Sequence, residues 1–268
     1  MSPEPTRYLA AAKALLDRLE GQGEAIEQAS RLCADAIAAD GLVHLFGTGH
    51  SRIPVEEMFP RYGSYPGFHP IVELSMTFHT QVVGANGQRQ AMFIERVEGL
   101  AETILANFQL GPPDAMMVFS ASGLSAVPIE IAIGARSRGL PVVAVTSVAQ
   151  AEASPSTHSS GTRLLDHADV VLDLCTPAGD ALVELDELET AVGPGSTIAA
   201  VALANAVKVR TAELLLERGA LRPLLAGAAG VGREESARLF DEAYAEHARR
   251  AARVLRGAGG GPGAEPAR

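Results

Sequence analysis

Ala115-Met116-Met117-Val118-Phe119-Ser120-Ala121-Ser122-Gly123-Leu124-Ser125 decides the fold of this chain. Five apolar residues without alternation read as a strand buried on both faces. The run passes straight into small hydroxyls and a glycine, and residues 125–138 then read as a helix closed by Gly139. A doubly buried strand that feeds a helix through a tight turn is half of a parallel β-α unit.

The same grammar repeats outward. Pro141–Val145 and Val170–Leu174 read as the fourth and fifth strands, Leu42–Phe46 as the first and Pro70–Glu73 as the second. Apolar residues at helical spacing mark residues 6–38, with a break at Gly21–Gly23, then about 51–62, Glu95–Phe108, 196–218 and 233–256. Residues 75–90 fit neither period. Alternating strands and helices predict an α/β fold: a five-stranded parallel, doubly wound, flavodoxin-like sheet with helical additions at both ends. Residues 1–256 read as one domain, and 257–268, rich in Gly, Pro and Ala, as a disordered tail.

Composition narrows the function. Hydrophobic residues make up 47% of the 268 and aromatics only 4%, so the core is built from Ala, Val, Leu and Ile. A net charge of −10 argues against wholesale nucleic-acid binding. No apolar run is long enough to span a bilayer, and the first residues lack the form of a signal peptide. Cys33 and Cys175 read as free thiols in a reducing, cytoplasmic setting. No His, Cys or Asp spacing suggests a metal site, and no cofactor is expected.

Two strand ends carry unusual loops: Gly47-Thr48-Gly49-His50-Ser51-Arg52 and Ser120-Ala121-Ser122-Gly123-Leu124-Ser125. A phosphate needs several donors converging on its oxygens. Glycine lets the backbone approach, small hydroxyls donate without bulk, and the following helix offers free amides. Neither loop contains an acid. The plain alternative is a pair of ordinary strand-to-helix turns with Ser as N-cap. A dinucleotide fingerprint beginning at Gly47 fails, because Ile53 and Pro54 stand near the place of its third glycine.

These loops resemble the sugar isomerase (SIS) fold, and the likeness is nearest to small, uncharacterised bacterial SIS-domain proteins. It extends to Glu56-Glu57 and Val192-Gly193-Pro194; Leu124-Ser125 departs from the more usual Arg-Asn. The resemblance implies a phosphosugar held by Ser51, Ser120, Ser122, Gly123 and Ser125. Thr48, Gly49, Arg52 and Ser147, the last after the fourth strand, complete the expected binding set. It also implies sites at subunit interfaces, hence a homodimer or homotetramer, with a sugar phosphate, not a nucleic acid or a membrane, as the partner.

Phosphosugar chemistry in such a fold begins at C2, and needs a carboxylate base, an acid and often a ring-opening group. Val97-Glu98-Gly99-Leu100-Ala101-Glu102 resembles a segment of the N-acetylmuramic acid 6-phosphate etherases, which implies Glu98 or Glu102 as the base. Glu57, two turns beyond Gly49, is a candidate acid. His50 is the electrophile or ring-opening candidate and His79 a further one, while the loop around His158 is a candidate lid. His44, His69, His167 and His247 carry no assigned role.

The expected activity is a lyase or dehydratase that removes the C2 proton of an amino-sugar 6-phosphate, such as N-acetylglucosamine 6-phosphate, and expels the C3 group. The alternatives are an aldose–ketose phosphosugar isomerase and a non-catalytic sugar-phosphate sensor. Residues 1–40 are too short and too little basic for the helix-turn-helix that a DNA-bound sensor would need.

Overall fold

The computed structural model describes residues 5–59, 61–77 and 84–255. Helices α1 (Arg7–Glu20) and α2 (Gly23–Ala38) lead into β1 (Val43–Gly47), a 3-10 turn (Gly49–Arg52) and α3 (Ile53–Met58). Then come β2 (Phe68–Ile71), α4 (Leu74–Thr77), α5 (Gly87–Ile94) and α6 (Leu100–Leu105). The second half runs β3 (Ala115–Phe119), α7 (Ala126–Ser137), β4 (Val142–Thr146), α8 (Val148–Ala153), a 3-10 turn (Leu164–His167) and β5 (Val170–Asp173). A hairpin, β6 (Ala181–Val183) and β7 (Val192–Pro194), precedes α9 (Ser196–Glu217), α10 (Ala228–Val231) and α11 (Arg233–Leu255).

Five strands form one parallel sheet in the order β2-β1-β3-β4-β5, the expected flavodoxin-like order. Side chains alternate across it. Val43, Leu45, Met117, Phe119, Val143 and Val145 join the core on one face, with residues of α1, α2 and α9. Phe46, Met116, Val118, Val142 and Ala144 join a second core, with residues of α6 and α7. Two buried faces explain why these strands read as unbroken apolar runs.

The differences from expectation have local causes. The second strand begins at Phe68, whose side chain is buried, and includes Pro70. It lies at the edge of the sheet, where a residue without an amide hydrogen is tolerated. The helix expected over Glu95–Phe108 forms only over Leu100–Leu105, because Gly99 sits at φ 85° and interrupts it. Most of its first turn belongs instead to the bend after α5. Pro194 ends β7 rather than opening α9, and the Tyr8 hydroxyl donates to its carbonyl at 2.8 Å. The hairpin strands have three residues each, too short to leave a periodic trace.

Helix α11 packs along the N-terminal end of the sheet. The buried Arg250 guanidinium donates to the carbonyls of Ile37 and Gly41 at 3.0 and 2.7 Å, and to Glu246 at 2.9 Å. No helix among the described residues is long and apolar enough to cross a membrane.

Candidate functional site

Strand order reverses between β1 and β3, and their carboxyl ends stand side by side, Gly47 level with Phe119. Open α/β sheets bind ligands at such a switch point. Glycine is obligatory here. A Cβ on Gly47 would stand 2.3 Å from the Ser51 carbonyl oxygen, so only glycine lets the chain fold back this tightly. Gly123 sits at φ 65°, and a Cβ there would meet Thr146 Oγ1 at 2.8 Å.

The second loop is braced by its own hydroxyls. Ser120 Oγ accepts from the Gly123 amide at 3.2 Å, and Ser122 Oγ from the Leu124 amide at 3.4 Å. Each hydroxyl keeps its hydrogen for another acceptor. Ser125 stands at the N-cap position of α7 but makes no side-chain cap bond, and the helix starts beside the same space.

Between the loops lies a pocket of about 330 Å³. Thr48, Gly49, His50 and Ser51 line one side, and Ser120, Ser122 and Ser125 the other. The far wall is the start of α9, where Asp180 accepts from the amides of Gly195 and Ser196 at 3.2 and 2.7 Å and from the Ser196 hydroxyl at 2.6 Å. The two loops are acid-free, but the hollow between them is not. Glu95, at the end of α5, reaches across it. Its Oε2 accepts from Thr48 Oγ1 at 2.8 Å and its Oε1 from Ser125 Oγ at 3.0 Å. Its backbone carbonyl accepts from the Val127 amide at 2.9 Å, in the first turn of α7. Three contacts therefore fix this carboxylate between the loops. Each oxygen accepts one hydrogen bond and retains a lone pair toward the pocket.

Of the expected binding residues, Thr48, Gly49, Ser51, Ser120, Ser122 and Ser125 line the pocket, as does His50, which is otherwise exposed. Gly123 lies beneath the loop it shapes. Ser147 is buried behind the pocket, where it donates to the Thr176 carbonyl at 2.7 Å and caps α8 through the Gln150 amide. Arg52 is not part of the lining; its Nε donates to the Thr77 carbonyl at 3.0 Å, and it pairs with Glu56.

The expected acids stand elsewhere. Glu57 is bound by Asn205 at 3.1 Å and by Arg61; burial works to raise its pKa, but those partners outweigh it and hold the carboxyl below its ordinary value. Glu102 pairs with Arg138, which lowers it likewise. Glu98 accepts from the Ser159 hydroxyl and amide at 2.7 and 2.6 Å, and these bonds keep it below the usual range. None of the three lines the pocket. His79 lies outside the described residues. The loop around His158 is joined to the phosphate-type loop, because the Thr157 amide and hydroxyl donate to the Leu124 carbonyl at 3.1 and 2.8 Å.

Sequence reasoning passed over Glu95. It reads as the first residue of a helix over Glu95–Phe108, whereas the structure ends α5 at Ile94 and leaves Glu95 at that end, beside the loops after β1 and β3.

Comparison with known proteins agrees with the architecture. A sequence model of the family described as the SIS domain matches residues 7–147. The UPF0309 protein SCO4393 of Streptomyces coelicolor is 36% identical over 240 residues, covering 88% of this chain and 93% of its own. The UPF0309 protein GK1441 of Geobacillus kaustophilus is 31% identical over 228 residues, covering 85% and 88%. Among solved structures, a phosphoheptose isomerase from Francisella tularensis is similar at TM-score 0.44 and 15% identity, over 75% of this chain and 95% of that one. The NanR protein of Vibrio vulnificus, complexed with ManNAc-6P, is similar at 0.46 and 16%, over 79% and 62%. Likeness at that level carries no argument about what this chain binds. With one family model spanning more than half its length and relatives above 30% identity along most of it, the chain belongs to the SIS-domain family.

Proposed function

We propose that this protein is a phosphosugar aldose–ketose isomerase whose base is Glu95. One observation carries the reading: a carboxylate held by Thr48 and Ser125 in the hollow between two donor-rich loops. The phosphoryl group sits against Ser120, Ser122 and the start of α7, where hydroxyl hydrogens and the positive end of the helix converge. That anchor leaves the sugar carbons beside Glu95. The carboxylate takes the C2 proton, the C2–H electron pair forms a C1–C2 double bond, and the carbonyl oxygen at C1 takes a proton from a pocket water. The resulting enediol takes the proton back from Glu95 at C1 while its C2 hydroxyl gives its proton to water, which leaves a carbonyl at C2. His50 on the pocket wall is placed to assist ring opening.

Isomerisation is favoured over elimination of the C3 group by the inventory of acids. Elimination needs a second proton donor at C3, and Glu57, Glu98 and Glu102 all stand outside the pocket. Asp180, the other carboxylate in the wall, is engaged by the start of α9. We propose further that the working form is a homodimer or homotetramer. Met92 and Phe93, on α5 beside the pocket, are 42% and 71% exposed, the kind of apolar surface that a second copy covers.

A panel of pentose, hexose, heptose and N-acetylhexosamine phosphates, screened by thermal shift and then assayed for product, tests the reading. At least one should raise the melting temperature and be converted to its keto or aldo isomer. Glu95→Gln should keep binding within about tenfold and lose 10²–10⁴-fold in kcat, roughly the share of a general base. An unsaturated product would establish elimination instead. Binding without any product would make the protein a sensor.

A further inference from the structure

Away from the pocket, three chain segments bring metal-ligating groups together. Glu98 comes from the turn between α5 and α6, Glu130 from α7 and His158 from the loop after α8. One ligand atom from each lies within 4.8 Å of the other two. Among the described residues, neither carboxylate is paired with a lysine or arginine, although both lie beside each other on a highly acidic protein. The cluster is not merely acidic. The His158 side chain is only 10% exposed, and its Nε2 lies 3.4 Å from Glu130 Oε1. Two ligands of a tetrahedral ion at about 2.1 Å stand roughly 3.4 Å apart, so one edge of a coordination tetrahedron is already set.

The surroundings suit a metal as well. A ligating histidine normally gives its other ring nitrogen to an orienting partner. His158 Nδ1 lies 2.6 Å from Ser160 Oγ, which lies 2.7 Å from Thr162 Oγ1, which lies 2.7 Å from His167 Nε2. The Ser160 amide also donates to Nδ1 at 3.3 Å, and together these contacts fix the ring with Nε2 turned toward Glu130. The Gly99 amide steadies Glu130 at 2.9 Å, and Ser159 steadies Glu98.

We propose that Glu98, Glu130 and His158 bind a divalent transition-metal ion of the zinc type. One nitrogen and two carboxylate donors with a fourth position for water suit Zn²⁺, whereas Ca²⁺ and Mg²⁺ prefer all-oxygen sites. None of the three residues lines the pocket, so the ion is a staple and takes no part in the reaction. It ties the loop at 154–162 to α7 and to the turn after α5. That loop is bonded through Thr157 to Leu124, so the staple also steadies the loop that ends at Ser125.

The full chain, freed of metal by chelator and titrated with Zn²⁺, tests this by calorimetry and melting temperature. One Zn²⁺ should bind per chain and raise the melting temperature, and Mg²⁺ and Ca²⁺ should not. Glu130→Gln and His158→Gln should weaken Zn²⁺ binding at least tenfold, while His50→Gln in the pocket should leave it unchanged. Zn²⁺ binding equally well to the first two variants, or a response to Mg²⁺ as large as to Zn²⁺, overturns the proposal. Co²⁺ added to the wild-type protein gives a reading that needs no variant. Intense visible bands of a four-coordinate ion are expected, and their absence is equally fatal.

Discussion

Glu95 and Gly47 show how single side chains set the site. Glu95 accepts a hydroxyl from each loop, so it is at once a brace and the proposed base. Gly47 has no side chain because the Ser51 carbonyl occupies that space. Gly47→Ala should therefore push the first loop out of place. The expected cost is about 1–3 kcal/mol of stability, typical of overpacking, and sugar-phosphate binding should fall with it. Urea unfolding and a thermal-shift titration would measure both effects. The loops were legible in the sequence because tight turns and phosphate-type cradles demand particular residue types at particular spacings. Glu95 was not. In Ile94-Glu95-Arg96-Val97-Glu98 nothing local distinguishes the acid that faces the pocket from the one that holds Ser159. Only the end of α5 at Ile94 and the turn that follows it set them on different sides.

At the scale of elements, the sheet was readable because β1, β3 and β4 are buried on both faces and lose alternation, and the longer helices α1, α2, α7, α9 and α11 show their period. The β6–β7 hairpin and α8 were missed for the opposite reason: three to six residues carry no period. Helix α5 is the informative element. Its end delivers Glu95 to the pocket, and Met92 and Phe93 remain at the surface next to it. If a second copy covers that surface, Phe93→Asp should weaken self-association at least tenfold. Analytical ultracentrifugation checks this, and an unchanged assembly places the interface elsewhere. A loss of turnover alongside the dissociation would show that the pocket needs its neighbour.

Across the whole molecule, a buried aromatic seam ties α11 to the sheet. His69 on β2 lies 5.5 Å from both His44 and His247 between ring centroids, and 6.2 Å from Phe108. Burial, reinforced by His44 and His247, pushes the His69 pKa down to about 4, and burial lowers His247 as well. An unfolded histidine titrates near 6.5, so the unfolded chain binds more protons between those values. The stability that neutral His69 contributes is complete above about pH 6.5 and is lost as pH falls toward 4, on the order of 3 kcal/mol. Melting temperature should drop across that window, and His69→Phe should flatten the drop; an unaltered slope would assign the acid limb to other groups. The N-terminal end of the sheet thus serves stability, while the carboxyl end, where strand order reverses, serves the ligand. That division is tested most directly by proton NMR in heavy water, with a sugar phosphate that raises the melting temperature. The wild-type protein should replace the substrate's C2 proton with deuterium while Glu95→Gln, still binding, leaves it in place. Exchange that continues undiminished in Glu95→Gln would contradict the account.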